Sequence, residues 1–144
     1  AYSYYNGDFI ALEKAHLNKG WKLVDNWHPD NKAGKRNSFV DVPMLEATRP
    51  GDRLTLDFRG KAIGIFCVSG PSAGILEYSV DGAPFKELDT FTEWSHNLYI
   101  PWVYMLETEL KDTDHKLVLR ISKKKNPASQ GTECQIRNFV VNGR

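Results

Sequence analysis

The sequence predicts an all-β fold, an antiparallel β-sandwich or jelly roll, and three observations predict it. Short apolar or alternating runs recur from residue 37 onward, Gly, Pro, Asn and Asp turn chemistry separates them, and no amphipathic segment of helix length lies between them. An amphipathic helix needs apolar residues every three to four positions over ten or more residues. The nearest approach, "DFIALEKAHL" at 8–17, shows neither that period nor clean alternation, and stays open as a short helical turn or an irregular edge strand.

The strands follow in order. "SFVDVPML" runs into "TRPGD", whose Pro-Gly pair makes a turn. In "RLTLDF", Leu54, Leu56 and Phe58 alternate with Arg53, Thr55 and Asp57, the pattern of a half-buried strand with one wet face. "KAIGIFCVS" is almost continuously apolar and predicts a strand buried on both faces at the centre of a sheet. "GILEYSVDGAPFKEL" alternates through Leu76, Tyr78 and Val80, turns at Asp81-Gly82 and resumes at Phe85, which is a hairpin. "LYIPWVYML", "HKLVLRIS" and "CQIRNFVVNG" complete the set. With no internal repeat, linker or low-complexity tract, residues 1–144 form one domain.

At 16.4 kDa, with 41% hydrophobic and 26% charged residues, the chain suits a conventional core and calls for no cofactor. The net charge of +1 comes from 19 basic and 18 acidic residues spread along the chain, which argues against a nucleic-acid partner. Lys123-Lys124-Lys125 reads as a solvated loop and is assigned no partner. No run approaches the roughly 20 apolar residues of a membrane span. The chain starts at Ala1 without Met, and is expected to be a processed product or a domain excised from a larger protein. Two cysteines allow one disulfide at most. Cys67 lies in an apolar run where a buried free thiol is usual, Cys134 opens the last strand, and without a CxxC pair cysteine-held zinc is not expected.

"GPSAG", residues 70–74, spells the G-x-S-x-G of a serine nucleophile elbow, and Asp81 or Asp89 and then His96 or His115 follow in triad order. An elbow requires a helix after the serine, and here "ILEYSVDG" continues as a strand. The stretch therefore reads as a turn, with Gly70, Pro71 and Gly74 supplying the backbone angles.

"FRGKAIGIFCVSGPSAGILEYSVDG", followed by "LYIPWVYMLETELKDTDHKLVLRIS", resembles the β-sandwich domain beside the catalytic domain of bacterial SGNH/GDSL hydrolases, a family that includes carbohydrate esterases. The resemblance spans roughly residues 20 to 142 and consists of strand and turn motifs. It implies a galactose-binding-like sandwich, secreted or periplasmic, whose partner is carbohydrate or its own catalytic domain. The Gly-Asp-Ser motif of that family is absent from this sequence. "DTDH", 112–115, has Asp-x-x-His spacing but leads into a strand, so Asp112 and Asp114 read as turn formers and His115 as the strand's opening residue.

A sugar site needs flat aromatic faces with polar groups beside them. Two segments offer both. "EWSHNLYIPW" carries Trp94, His96, Asn97, Tyr99 and Trp102, of which Trp94 and His96 read as the exposed pair and Tyr99 and Trp102 as packing. "DNWHPDNKAGKRN", 25–37, sets Trp27 and His28 among Asp25, Asn26, Asp30 and Asn31. That loop admits an oxygen-ligated structural calcium, although its spacing is not that of an EF-hand. Three readings follow: a non-catalytic accessory domain that binds glycan, a structural docking module anchored by Trp94 and Trp102, and an autonomous esterase using Ser72.

Overall fold

The computed structural model describes residues 7–25, 27, 43–92, 95 and 99–142. In chain order these form β1 (Gly7–Ile10), a 3-10 turn (Leu12–Lys14), β2 (His16–Lys19), β3 (Lys22–Val24), β4 (Met44–Ala47), β5 (Arg53–Gly60) and β6 (Ala62–Ser69). β7 (Ile75–Val80), β8 (Lys86–Asp89), β9 (Ile100–Glu107), β10 (Thr113–Ile121) and β11 (Cys134–Asn142) follow. They build an antiparallel β-sandwich of two sheets. One sheet has six strands in the order β3-β4-β11-β6-β9, with β1 also paired to β11, and the other has five in the order β2-β5-β10-β7-β8.

The chain changes sheet at almost every connection, and the alternation of side chains decides what each crossing buries. On β5, Leu54 and Leu56 are fully buried and Phe58 nearly so, while Arg53, Asp57 and Arg59 face water. On β10, Leu117, Leu119 and Ile121 do the same. Ile63, Ile65 and Cys67 of β6 and Ile136, Phe139 and Val141 of β11 meet them from the opposite sheet. Each fully buried Leu or Ile in this layer contributes about 1.5–3 kcal/mol. A register shift between Ile136 and Asn138 lets both Ile136 and Phe139 point inward, since the extra residue resets the alternation.

β6 is flanked by β11 and β9 and buried along nearly its whole length, as its continuous apolar run requires. The hairpin between β7 and β8 turns on Asp81 and Gly82, at φ 56° and 76°, the doubly positive pair of a tight type I′ turn. Residues 8–17 resolve into β1, the 3-10 turn and β2. β1 pairs with β11 of one sheet and β2 with β5 of the other, so no single period could hold across the segment.

His115 does not open its strand. It is the third residue of β10, buried, and held from both sides.

Candidate functional site

Trp27 and Tyr99, distant in sequence, meet edge to face with ring centroids 5.3 Å apart. They pack with Met44 of β4 and Val68 of β6 in a second apolar cluster on the outer face of the six-stranded sheet. Neither ring offers a face to solvent, at 2% exposure for Trp27 and 4% for Tyr99. The indole N–H of Trp27 donates to Glu46 Oε2 at 3.2 Å, and the buried Gln135 Nε2 donates to the same oxygen at 2.8 Å and to Glu133 Oε1 at 3.2 Å. A small apolar lid thus sits beside a polar net, each fixing the other.

Gly70 explains how Tyr99 fits. A Cβ on Gly70 would fall 2.3 Å from Tyr99 Cε2, so only glycine lets the ring lie on this backbone. Gly74 is similarly crowded, with the Thr132 carbonyl carbon 2.7 Å from where its Cβ would be. The positive-φ glycines are Gly20, Gly51, Gly60 and Gly82, so close packing rather than backbone angle is what requires glycine in "GPSAG". Ser72 lies in the turn between, its carbonyl accepting from Glu133 N at 2.8 Å. Among the described residues no histidine or carboxylate hydrogen-bonds its hydroxyl, and its strand continues as β7 rather than a helix.

Trp102 is the most exposed large apolar side chain described, at 54%. It sits opposite Cys67 on β9, an edge strand, and therefore has the inward parity of Tyr104 and Leu106. Leu106 is buried in the core and Tyr104 is partly buried against it, whereas Trp102 remains open. Burial pushes the Tyr104 phenol up to about 12, with the Cys67 thiol and Asp89 carboxylate adding to the rise and a hydrogen bond with Ser69 opposing it. Asp89 belongs to β8, the edge of the other sheet, and accepts from Asn126 Nδ2 at 2.8 Å and from Phe91 N at 3.0 Å. Lys86 Nζ of β8 meets Glu107 Oε2 of β9 at 2.7 Å, tying the two edges together.

The sandwich edge between β8 and β9 thus presents an open indole, a phenol and a carboxylate already held in place, which is the equipment for stacking on a sugar ring and accepting from its hydroxyls. Sequence reasoning set Trp102 among the sugar-site candidates while reading it as packing, weighed Asp89 only as a triad carboxylate, and did not single out Tyr104. Tyr104 could have been found, since it shares Trp102's parity in "PWVYML", whereas Asp89 comes near only through the pairing of sheets. Trp94, His96, Asn97 and His28 lie outside the described residues, as does most of the 25–37 loop that suggested calcium.

Cys67 and Cys134 are free thiols buried on neighbouring strands of the six-stranded sheet. Burial pushes Cys67 up to about 12, a hydrogen bond with Ser69 only partly offsetting it. Burial, with Cys67 nearby, raises Cys134 as well. No helix among the described residues is long and apolar enough to cross a membrane.

No protein-family model and no curated protein sequence matches the chain. Its fold is similar to part of a two-domain esterase active on acetylated mannans, co-crystallised with mannopentaose, at 17% identity and TM-score 0.70, covering 98% of this chain and 37% of that one. It is also similar to part of a family two carbohydrate esterase from Cellvibrio japonicus, at 12% identity and TM-score 0.56, covering 96% and 34%. A third similar structure is the exo-β-1,3-galactanase of Phanerochaete chrysosporium bound to β-1,3-galactotriose, at 11% identity and TM-score 0.60, covering 94% and 29%. The structural neighbours are carbohydrate esterases and a glycoside hydrolase, and the chain spans about a third of their length. At such identities the likeness is one of fold.

Proposed function

We propose that this chain is a non-catalytic accessory domain of an extracytoplasmic, bacterial carbohydrate-active hydrolase of the SGNH/GDSL type, and that it contacts glycan through the aromatic edge of β9. The observation that carries this reading is the open indole of Trp102, on the same strand face as Tyr104, on a fold shared with carbohydrate-active enzymes. Trp94, His96, Asn97 and His28, which lie outside the described residues, are proposed as further glycan contacts on their residue types alone. Trp27 and Tyr99 act beneath it, fixing the outer face of the sheet on which β9 lies.

The test is a tryptophan fluorescence titration of the chain against acetylated and deacetylated mannans and other neutral plant polysaccharides, alongside Trp102→Ala. A saturable shift that Trp102→Ala abolishes supports the reading, and a flat response across the panel sinks it. A second reading is favoured by the partly exposed Val103 and Met105 on the other face of the same edge strand. There the surface docks against the chain's own catalytic domain, and a flat glycan panel with tight association of the two domains in sedimentation would select it.

A further inference from the structure

The outer face of the five-stranded sheet carries a row of like charges of which, among the described residues, only Arg120 is met by a carboxylate. Lys19 of β2 is in register with Arg53 of β5, and Arg53 with Arg120 of β10. Strands stand about 4.8 Å apart, so three cationic side chains are set on consecutive strands, and like charges directly opposite one another destabilise a sheet. The row continues into Glu77 of β7 and Glu87 of β8, which are next in register. Glu77 takes Arg120 Nε at 2.7 Å and Glu87 takes Lys124 Nζ at 3.0 Å. Lys19, Arg53 and Lys123 have no carboxylate partner among the described residues.

These side chains line a groove of about 630 Å³ with Gly51 and Ser122 in its wall, within the volume range of a small-ligand site. The groove is built rather than incidental. Gly20, at φ +77°, has room for no Cβ, since one would lie 1.9 Å from Asp52 Oδ1. The buried Asp52 accepts from Thr48 N at 3.3 Å and Arg49 N at 3.1 Å, which fixes the Arg49-Pro50-Gly51 turn beside Lys19. Arg120 is fixed too: its guanidinium carbon stands 3.6 Å from the Phe85 ring centroid while Nε is held by Glu77, leaving both terminal nitrogens without a protein partner among the described residues. A planar fork held this way suits carboxylate or sulfate oxygens.

We propose that this groove is a binding site for an anionic glycan, whose carboxylate or sulfate groups are held by Lys19, Arg53 and Arg120. The choice of glycan rests on the carbohydrate reading above and on the groove's own make-up. A single-stranded nucleic acid needs open aromatic faces for its bases, and among the described residues no aromatic side chain lines this groove. A long polyanion crossing the strands would run onto Glu77 and Glu87, so the ligand presents its charges to the cationic end of the row and leaves along the strands.

The experiment is calorimetric titration of the whole chain with polygalacturonate, heparin, neutral galactomannan and single-stranded DNA, repeated for Lys19→Gln/Arg53→Gln, Arg59→Gln and Trp102→Ala. Saturable binding to polygalacturonate, to heparin or to both is expected, and which of them binds tells carboxylate from sulfate recognition. The double variant should lose at least ten-fold in affinity, while Arg59→Gln keeps it. The double variant should melt no lower than the parent, which verifies that it folds. No saturable binding to either anionic glycan, binding indifferent to the double variant, or DNA bound as tightly as the glycan would overturn the proposal. That failure is separable from failure of the neutral-glycan reading, which shows in galactomannan and mannan binding and in Trp102→Ala.

Discussion

At one end of the five-stranded sheet Asp57, Asp81 and Asp114 each meet a basic side chain; at the other, Lys19, Arg53 and Lys123 meet no carboxylate among the described residues. In the acidic end Arg59 pairs with Asp114 at 3.3 Å, Lys116 with Asp57 at 3.7 Å, and His115 with Asp81 at 2.5 Å. The first two pairs are exposed and add little to stability. The third is different, because the His115 side chain is only 6% exposed and its ring lies 5.3 Å from that of Phe58. His115 Nδ1 faces Asp81 and Nε2 faces the Lys111 carbonyl at 2.7 Å, so both ring nitrogens face acceptors and both must carry hydrogen. The imidazolium pins the β10 strand to the hairpin turn, and Asp81 completes the clasp by accepting from Lys116 N at 2.8 Å. Charge at this end holds the fold together, whereas charge at the basic end is left over after folding.

The sharpest way to break that contrast is to remove the pin. His115→Ala leaves the Lys111 carbonyl and one Asp81 oxygen without their donor and opens space against Phe58, and should cost about 2 kcal/mol in urea unfolding. A parent-like midpoint would mean the clasp is ornamental.

The pH dependence sharpens the same point. The hydrogen bond to Asp81, then that to Lys111, raises the His115 pKa, so its contribution is complete below the unfolded histidine value near 6.5 and is lost as pH climbs through the raised folded value. Asp81, lowered by the same bond and by Lys116, contributes above its unfolded value and loses this as pH falls through its depressed folded value. Melting temperature should therefore decline from pH 6 to pH 9, and His115→Gln should flatten that decline. A parent curve already flat across this range would show that the ring is neutral.

The smallest effect belongs to the basic end. Lys19→Gln/Arg53→Gln relieves exposed repulsion and should raise stability by a few tenths of a kcal/mol at low salt, with the gain vanishing in 0.5 M salt. A loss of stability would mean these side chains already do structural work.

The strands of this fold were legible wherever one sheet face is wet. Residues 53–58, 75–80 and 116–121 alternate cleanly because they lie in the five-stranded sheet, whose outer face is charged. Residues 8–17 were not legible because the chain crosses between sheets there, and the periodicity is broken at the crossing. The site was less legible still. Trp27 and Tyr99 look like a ligand pair in a polar text, yet packing across the sheet buries both, and Trp102, flanked by apolar neighbours, stands open because it is on an edge. The cationic row could not be read at all, since Lys19, Arg53 and Arg120 are brought together by register, a property of pairing that no local pattern encodes.

The two thiols have a consequence for watching this protein move. Cys67 and Cys134 sit on two paired strands of the six-stranded sheet, and both face the core between the sheets. A thiol reagent can reach them only when the sandwich opens. The native chain thus carries its own clock for opening: the rate at which it is alkylated counts how often the core between the sheets is laid bare, with no label to be introduced.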